Sequence, residues 1–91
     1  MVLPETHALA QKSQVWLQDL DGESFVMPSP DLVPGLYKTI WKLCQQAGIY
    51  LHITQEATWM TTVLSLVAGG IGVSLLPANV VNLQRSGVVY R

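Results

Sequence analysis

Charged residues are scarce in this 91-residue sequence. They make up 12% of the chain, and none occurs at the 28 positions from 57 to 84. A helix with one side in water usually carries Lys and Glu there, so we expect a surface within this stretch to be covered or to line a cleft. The net charge of −1, with only five scattered Lys and Arg, excludes the basic footprint of a nucleic-acid-binding segment.

Cysteine and histidine are also rare. A single cysteine, Cys44, builds no disulfide framework, which is typical of a reducing, cytoplasmic compartment. His7, His52 and Cys44 lie far apart in the sequence, and no two of them are three or four positions apart, so we expect no metal site and no cofactor. No segment assembles a nucleophile, a base and an oxyanion site, and we therefore expect no catalytic residues and no enzyme activity.

Signals for secretion or membrane insertion are missing as well. The N-terminus has no basic segment before an apolar run, which argues against a secretory signal. Glycine, proline and asparagine interrupt the uncharged stretch, which favours a buried helix and strand over a membrane span. Because 49% of this short chain is hydrophobic, it should expose apolar surface as a monomer. We predict a partner, either another copy or another part of a longer chain.

One unit, from position 51 to position 77, organises the sequence. Residues 51–54 alternate between apolar and polar, as a half-buried strand does. Apolar residues then recur at helical spacing until Gly69 and Gly70 end the helix, and residues 71–76 have the composition of a buried strand closed by Pro77. Strand, helix and strand in this order predict a right-handed parallel unit.

The remaining patterns extend this unit to one domain over residues 1–91. Strands are predicted at positions 1–3, 23–27 and 88–90, a helix at 36–47 that follows Pro34, and a short helix or turn at 78–83. The fold class is therefore α/β, with a mostly parallel sheet flanked by helices on both faces.

The polar side of the second helix carries hydroxyl groups and glycine without any charge: Thr58, Thr61, Thr62, Ser65 and Gly69. Two interpretations remain open. The unit is the core of a small domain, or this stripe and residues 55–58 face a ligand or a second body. Helix N-termini present unpaired N–H groups and a partial positive charge, so a carboxylate could bind there without a cation from this chain.

Motifs in the same region resemble a known family. They are Gln55-Glu56-Ala57, Leu66-Val67-Ala68, Gly70-Ile71-Gly72-Val73 and Leu76-Pro77-Ala78, with Pro34-Gly35-Leu36-Tyr37 upstream. In order and spacing, over nearly the whole chain, they resemble the effector-binding domain of LysR-type transcriptional regulators, mainly its second lobe. The resemblance implies a single Rossmann-like lobe of the periplasmic-binding-protein type II fold. It also implies that DNA is contacted only through a domain outside these residues.

The resemblance further implies a ligand site and an interface. A small-molecule effector, such as an aromatic or dicarboxylic acid, would bind between two lobes, and this lobe would contribute Pro28, Ser29, Gln55, Glu56, Ala57 and Thr58. Some relatives have an arginine where this chain has Ser29, so no ion pair is available from this loop. The helix at 36–47 resembles the family's dimer-contact helix, which predicts a homo-oligomer through Tyr37, Ile40, Trp41 and Cys44.

Two other functions fit the same sequence. A solute-binding lobe of the transport type shares the fold, although the missing signal sequence argues against it. A truncated stand-alone domain for interaction or oligomerisation would cover its apolar surface by self-association.

Overall fold

The structure is a computed structural model that describes residues 1–33, 35–78 and 86–91. Within these described residues, four strands and two α-helices form an α/β fold, as predicted. In chain order they are β1 (Val2–Pro4), β2 (Ser24–Pro28), α1 (Leu36–Ala47), β3 (His52–Ala57), α2 (Met60–Ala68) and β4 (Val88–Tyr90), with short 3-10 helices at Ala8–Gln11 and Leu17–Leu20. The predicted position of Pro34 in the first helical turn, and most of the segment 78–83, lie outside the described residues.

Two short strand pairs are joined by residues 73 and 74. β2 pairs with β3 in parallel, and β1 pairs with β4 antiparallel. Between the pairs, Val73 bridges Phe25 in parallel and Ser74 bridges Val2 antiparallel. The spatial order is therefore β3, β2, residues 73–74, β1 and β4. Among the described residues the pairing is mixed, so the mostly parallel sheet of the sequence prediction is not confirmed.

The predicted strand at 71–76 is reduced to its two central residues. Val26 N–H donates to the oxygen of Val73 at 2.8 Å, and Val2 N–H donates to that of Ser74 at 2.8 Å. Because β2 lies between β3 and residues 73–74, the two strands of the predicted parallel unit are not neighbours. Periodicity along the chain carries no information about which strand is inserted between two others.

The two helices pack against opposite faces of the sheet. Side chains of a strand point alternately to its two faces, and β2 shows this directly. Phe25 and Met27 join a buried cluster with α1, whereas Val26 joins a second cluster with α2. Full burial of one such side chain contributes about 1.5–3 kcal/mol, so β2 is central to both halves of the core.

α2 lies on the second face, between the sheet and solvent. Its buried residues are Val63, Leu64 and Val67, at the predicted helical spacing. No helix within the described residues is both long enough and apolar enough to cross a membrane. Gly70, with φ of 82°, turns the chain after the helix in the left-handed region that favours glycine.

Candidate ligand-binding site

The two predicted ligand segments, residues 28–29 and 55–58, meet at one edge of the sheet, and most of the second segment belongs to β3 rather than to a loop. Pro28, at the end of β2, pairs with Ala57 at the end of β3. Ser29 N–H then donates to the oxygen of Ala57 at 2.8 Å, which holds the two segments side by side. We call this end of the sheet the carboxyl edge. In open α/β sheets, ligands bind outside the carboxyl ends of the strands.

The N-terminus of α2 opens at the carboxyl edge. Trp59 is the N-cap residue, and its side chain makes no capping hydrogen bond. The amides of Met60, Thr61 and Thr62 precede the first bond of the helix, which runs from Val63 N–H to the oxygen of Trp59 at 3.0 Å. These amides therefore have no acceptor within the helix. With no acidic residue in the first turn, the partial positive charge of the helix end is not neutralised locally.

Ser29 carries a buried hydroxyl without a partner. The residue is only 5% exposed, and its Oγ has no hydrogen-bond partner among the described residues. An unsatisfied buried polar group costs about 1–3 kcal/mol. Such groups in native structures call for an explanation, and a ligand or an ordered water at a binding site supplies one.

Charge is sparse in the two segments that form the predicted site. Residues 28–33 and 55–60 contain no Lys, Arg or His, and their acidic side chains are Asp31 and Glu56. Glu56 is opposite Met27 in the register and next to buried Ala57, so its side chain lies on the α1 face rather than the α2 face. An anion would therefore be held by amide and hydroxyl dipoles rather than by a cation of these segments.

The six predicted ligand residues differ in accessibility. Pro28, Ser29 and Ala57 are buried, whereas Gln55, Glu56 and Thr58 are exposed. The buried three set the geometry of the edge, and Thr58 leads into α2. Hydroxyl groups further along α2, on Thr61, Thr62 and Ser65, are exposed to solvent in this chain. Thr61 and Thr62, in the first turn of α2, are the members of this stripe that follow Thr58 most closely along the chain.

Sequence reasoning missed a cavity of about 220 Å³ near the chain ends. β1 runs antiparallel to residues 73–74 and to β4, so its start and the end of β4 lie at the carboxyl edge. The lining residues come from three distant segments, and no local pattern connects them: Met1, Val2, Leu76, Pro77, Ala78, Tyr90 and Arg91. Arg91 donates to the main-chain oxygens of Ala10 and Lys12, so much of its hydrogen-bonding capacity is used within the fold.

The predicted interface helix buries two of its four named residues. Ile40 and Cys44 belong to the core cluster on the α1 face, so their side chains pack inside this chain. Burial raises the pKa of the Cys44 thiol, which keeps it neutral and unreactive. Trp41 is exposed and Tyr37 half-buried, with ring centroids 6.3 Å apart in an edge-to-face contact. Trp41 also borders an open cavity of about 410 Å³ together with Cys44, Gln45, Ile49, Tyr50 and Leu51.

No group of three or more His, Cys, Asp or Glu side chains able to hold a metal ion occurs in the part of the chain that the structure describes. His7 instead contacts Glu23 through Nε2, at 2.5 Å, and accepts the N–H of Leu9 at Nδ1. Both ring nitrogens are therefore engaged in local contacts.

The whole sequence, residues 1–91, matches the family model for the LysR substrate binding domain. The chain is 34% identical over 91 residues to the HTH-type transcriptional regulator AlsR of Bacillus subtilis, covering all of this chain and 30% of that protein. It is 35% identical over 89 residues to the HTH-type transcriptional regulator CatR of Pseudomonas putida, covering 98% and 30%. The chain thus spans about a third of the length of these curated relatives.

Solved structures show the same fold. The regulatory domain of Synechocystis PCC6803 CcmR, in complex with 2-PG, superposes with a TM-score of 0.83 at 22% identity, covering 96% of this chain and 42% of that one. The effector binding domain of QuiR in complex with shikimate gives 0.80 at 26% identity, covering 96% and 40%. The BenM effector binding domain with its effector benzoate gives 0.77 at 24%, covering 96% and 40%. From the match over its full length, this chain belongs to the LysR substrate-binding domain family.

Proposed function

We propose that this chain is an effector-sensing lobe of a LysR-type transcriptional regulator and that it binds a small carboxylic acid at the carboxyl edge. The site comprises Pro28, Ser29 and residues 55–58, with the first turn of α2. The observation that carries the proposal is the unpartnered hydroxyl of Ser29. The main-chain N–H of the same residue bonds to Ala57, in the segment that leads into the uncapped N-terminus of α2.

Known ligands of similar proteins agree with this chemistry. QuiR was solved with shikimate and BenM with benzoate, and both ligands are carboxylates. In this chain the amides of Met60, Thr61 and Thr62 would donate to one carboxylate oxygen, and the Ser29 hydroxyl would donate to the other. Charge-assisted bonds of this kind are about twice as strong as neutral ones. They would compensate for the lack of a cation in the two segments.

One lobe provides only one wall of such a site. The chain covers 40–42% of the effector-binding and regulatory domains that it matches, which supports a single lobe of a two-lobed, periplasmic-binding-protein type II fold. An effector that contacts both lobes stabilises the arrangement in which both contacts are made. Each tenfold preference for that arrangement requires about 1.4 kcal/mol of differential binding energy. The DNA contacts of the whole regulator, located in the cytoplasm, would lie outside this chain.

A second role follows from the exposed surface of α1. Trp41, on α1, and Tyr50, just after it, are exposed beside a shared cavity. Leu43, also on α1, is exposed as well. Large exposed aromatic residues anchor protein interfaces more often than other residue types do. We infer that this surface, with Tyr37 at its margin, contributes to a homo-oligomer.

An NMR titration of the ¹⁵N-labelled chain tests the ligand site, since it detects weak binding by half a site. We expect benzoate and shikimate to shift the amide signals of Ser29, Met60, Thr61 and Thr62. Methyl benzoate, which keeps the ring but lacks the negative charge, is the matched control and should leave these signals unchanged. Shifts confined to the α1 surface, or no shifts with either acid, would contradict the proposed site.

A further inference from the structure

We propose that Trp59 is the specificity-determining residue of this site and makes it prefer planar, aromatic carboxylates to saturated ones. The inference depends on the proposed function, because it names the kind of acid that the carboxyl edge selects. It rests on the unusual place of this tryptophan in the helix and on its surroundings.

Trp59 stands where α2 would gain most from a different residue. Ser, Thr, Asp or Asn at the N-cap accepts a hydrogen bond from the first turn of a helix, which an indole cannot do. The side chain of Trp59 makes no capping bond, and it has extended backbone angles, with φ of −108° and ψ of 140°. Thr58, a competent cap, lies one position too early. A local choice that opposes helix stability at a candidate site indicates a role outside the helix.

The indole of Trp59 is also left in solvent. The residue is 71% exposed, and neither a hydrogen bond of its indole N–H nor a ring contact is found among the described residues. Tryptophan offers a large apolar face and one donor, both of which gain from contact with a partner. The fold of this chain uses neither.

Trp59 is adjacent in the chain to the donors that would hold a carboxylate. Trp59 immediately precedes the amides of Met60, Thr61 and Thr62. It also lies two positions after Ala57, whose main-chain oxygen accepts the N–H of Ser29. No other aromatic residue occurs at positions 28–33 or 55–60. When the carboxylate of a small acid binds the amides, its organic part lies within reach of this indole. An offset stack of two planar rings favours an aromatic acid by about 2- to 10-fold over a saturated one.

Trp16 is a second exposed tryptophan at the start of a helix. It is 60% exposed and is also an N-cap residue, at the 3-10 helix Leu17–Leu20. Its main-chain N–H donates to Asp19 Oδ2 at 2.9 Å, so its helix end is closed by an acid of the first turn. The first turn of α2 contains no acidic residue, so the N-terminus of α2 is not closed in this way. Trp16 is therefore a suitable control for Trp59.

The test compares benzoate with cyclohexanecarboxylate, which has the same charge and ring size but is not planar. Dissociation constants come from the NMR titration of the wild-type chain and of Trp59→Leu, Trp59→Phe and Trp16→Leu. We expect the wild type, Trp59→Phe and Trp16→Leu to prefer benzoate by about 2- to 10-fold. In Trp59→Leu the ratio should fall to about 1, because benzoate loses the ring stack, whereas both acids keep their carboxylate contacts and an apolar neighbour.

The possible failures are distinguishable. If Trp59→Leu keeps the wild-type ratio while both acids still bind at the carboxyl edge, the role of Trp59 is wrong and the proposed function stands. If neither acid binds the wild-type chain, the proposed function itself is wrong. Should Trp59→Leu lose its dispersed amide spectrum, Trp59→Phe and a Trp59→His variant, both planar, are compared with Trp59→Met. If the preference for benzoate over cyclohexanecarboxylate is the same with planar and with non-planar side chains at position 59, the inference is also overturned.

Discussion

Ser74 Oγ donates a hydrogen bond to the main-chain oxygen of Val26 at 2.8 Å, and both residues are fully buried. The two residues belong to neighbouring strand segments, since Val26 N–H donates to the oxygen of Val73 and Val73 N–H donates to that of Ser24. The hydroxyl therefore adds a third attachment between β2 and the two residues that join the parallel pair to the antiparallel pair.

Ser74→Ala should destabilise the fold. The change removes the donor and leaves a buried carbonyl with one bond fewer, at an expected cost of about 1–2 kcal/mol. Urea unfolding followed by circular dichroism measures the difference. Ser65→Ala is the matched control, because Ser65 is exposed in α2 and alanine is the better helix former. Equal stability of the two variants would show that the Ser74 bond contributes nothing.

Ser29→Ala should behave in the opposite way. Its hydroxyl has no partner among the described residues, so removing it eliminates a desolvation cost and should leave stability unchanged or raise it by up to about 1 kcal/mol. The same change should weaken benzoate binding, since one donor to the carboxylate is lost. Ser29→Ala that unfolds at lower urea than the wild type would indicate an internal partner for the hydroxyl and argue against its role in the site.

Gly72→Ala should be among the most damaging substitutions on this chain. A Cβ at this position would lie 2.6 Å from the main-chain oxygen of Ser24 and 3.1 Å from the nitrogen of Phe25. The obstacle is backbone, so it cannot rotate away, and the bond from Val73 N–H to Ser24 at 2.9 Å would have to lengthen. We expect a loss of at least about 1–3 kcal/mol, the range for overpacking, measured by urea unfolding.

Gly69→Ala is the control for this steric argument. Its Cβ would approach no atom closer than 3.4 Å, and its φ of −78° suits any residue. Alanine there should stabilise the chain by about 0.4–1 kcal/mol, because it reduces the freedom of the unfolded state. If both glycine variants lost equal stability, close packing at Gly72 would not be the cause.

Local patterns predicted the helices and three of the strands well, but not the order in which the strands pair. α1 was found at its predicted boundaries, because a helix is stabilised by contacts a few positions apart that periodicity reflects. The position of β2 between β3 and residues 73–74 depends on contacts between distant segments, which no local pattern encodes. β3 extends to Ala57 rather than ending at 54, since an edge strand can expose its polar residues on both faces and lose the alternation.

The candidate site was predictable in part for the same reason. The junction of Ser29 with Ala57 follows from two parallel strands ending together, once both strands are placed. The buried state of the Ser29 hydroxyl and the missing cap of α2 are properties of the packed chain. The burial of Ile40 and Cys44 was visible as an apolar stripe, but such a stripe does not tell core from interface.

Acid should destabilise the 3-10 segment before β2 through Asp19. The pKa of Asp19 is lowered from its ordinary 3.8, first because Trp16 N–H donates to the carboxylate and then because Lys12 does. A group with a lowered pKa in the folded state contributes stability above its ordinary pKa, and this contribution is lost as the pH falls through the folded value. We expect the stability difference between wild type and Asp19→Asn to be constant near neutral pH and to shrink below about pH 3.8. A difference that does not change with pH would exclude this carboxylate as the titrating group.

Trp41→Glu should dissociate the proposed homo-oligomer into monomers without unfolding the chain. Trp41 is 40% exposed beside the cavity on α1, and burying a carboxylate in an apolar interface is costly. Gln46→Glu adds the same charge at an exposed position about 140° further round the helix and should leave the assembly intact. Sedimentation equilibrium measures the mass of the wild type and both variants over a range of concentrations, with circular dichroism as the check on folding. A wild-type chain that stays monomeric throughout contradicts the homo-oligomer. Equal dissociation by both variants would mean that added charge, rather than the surface around Trp41, controls association.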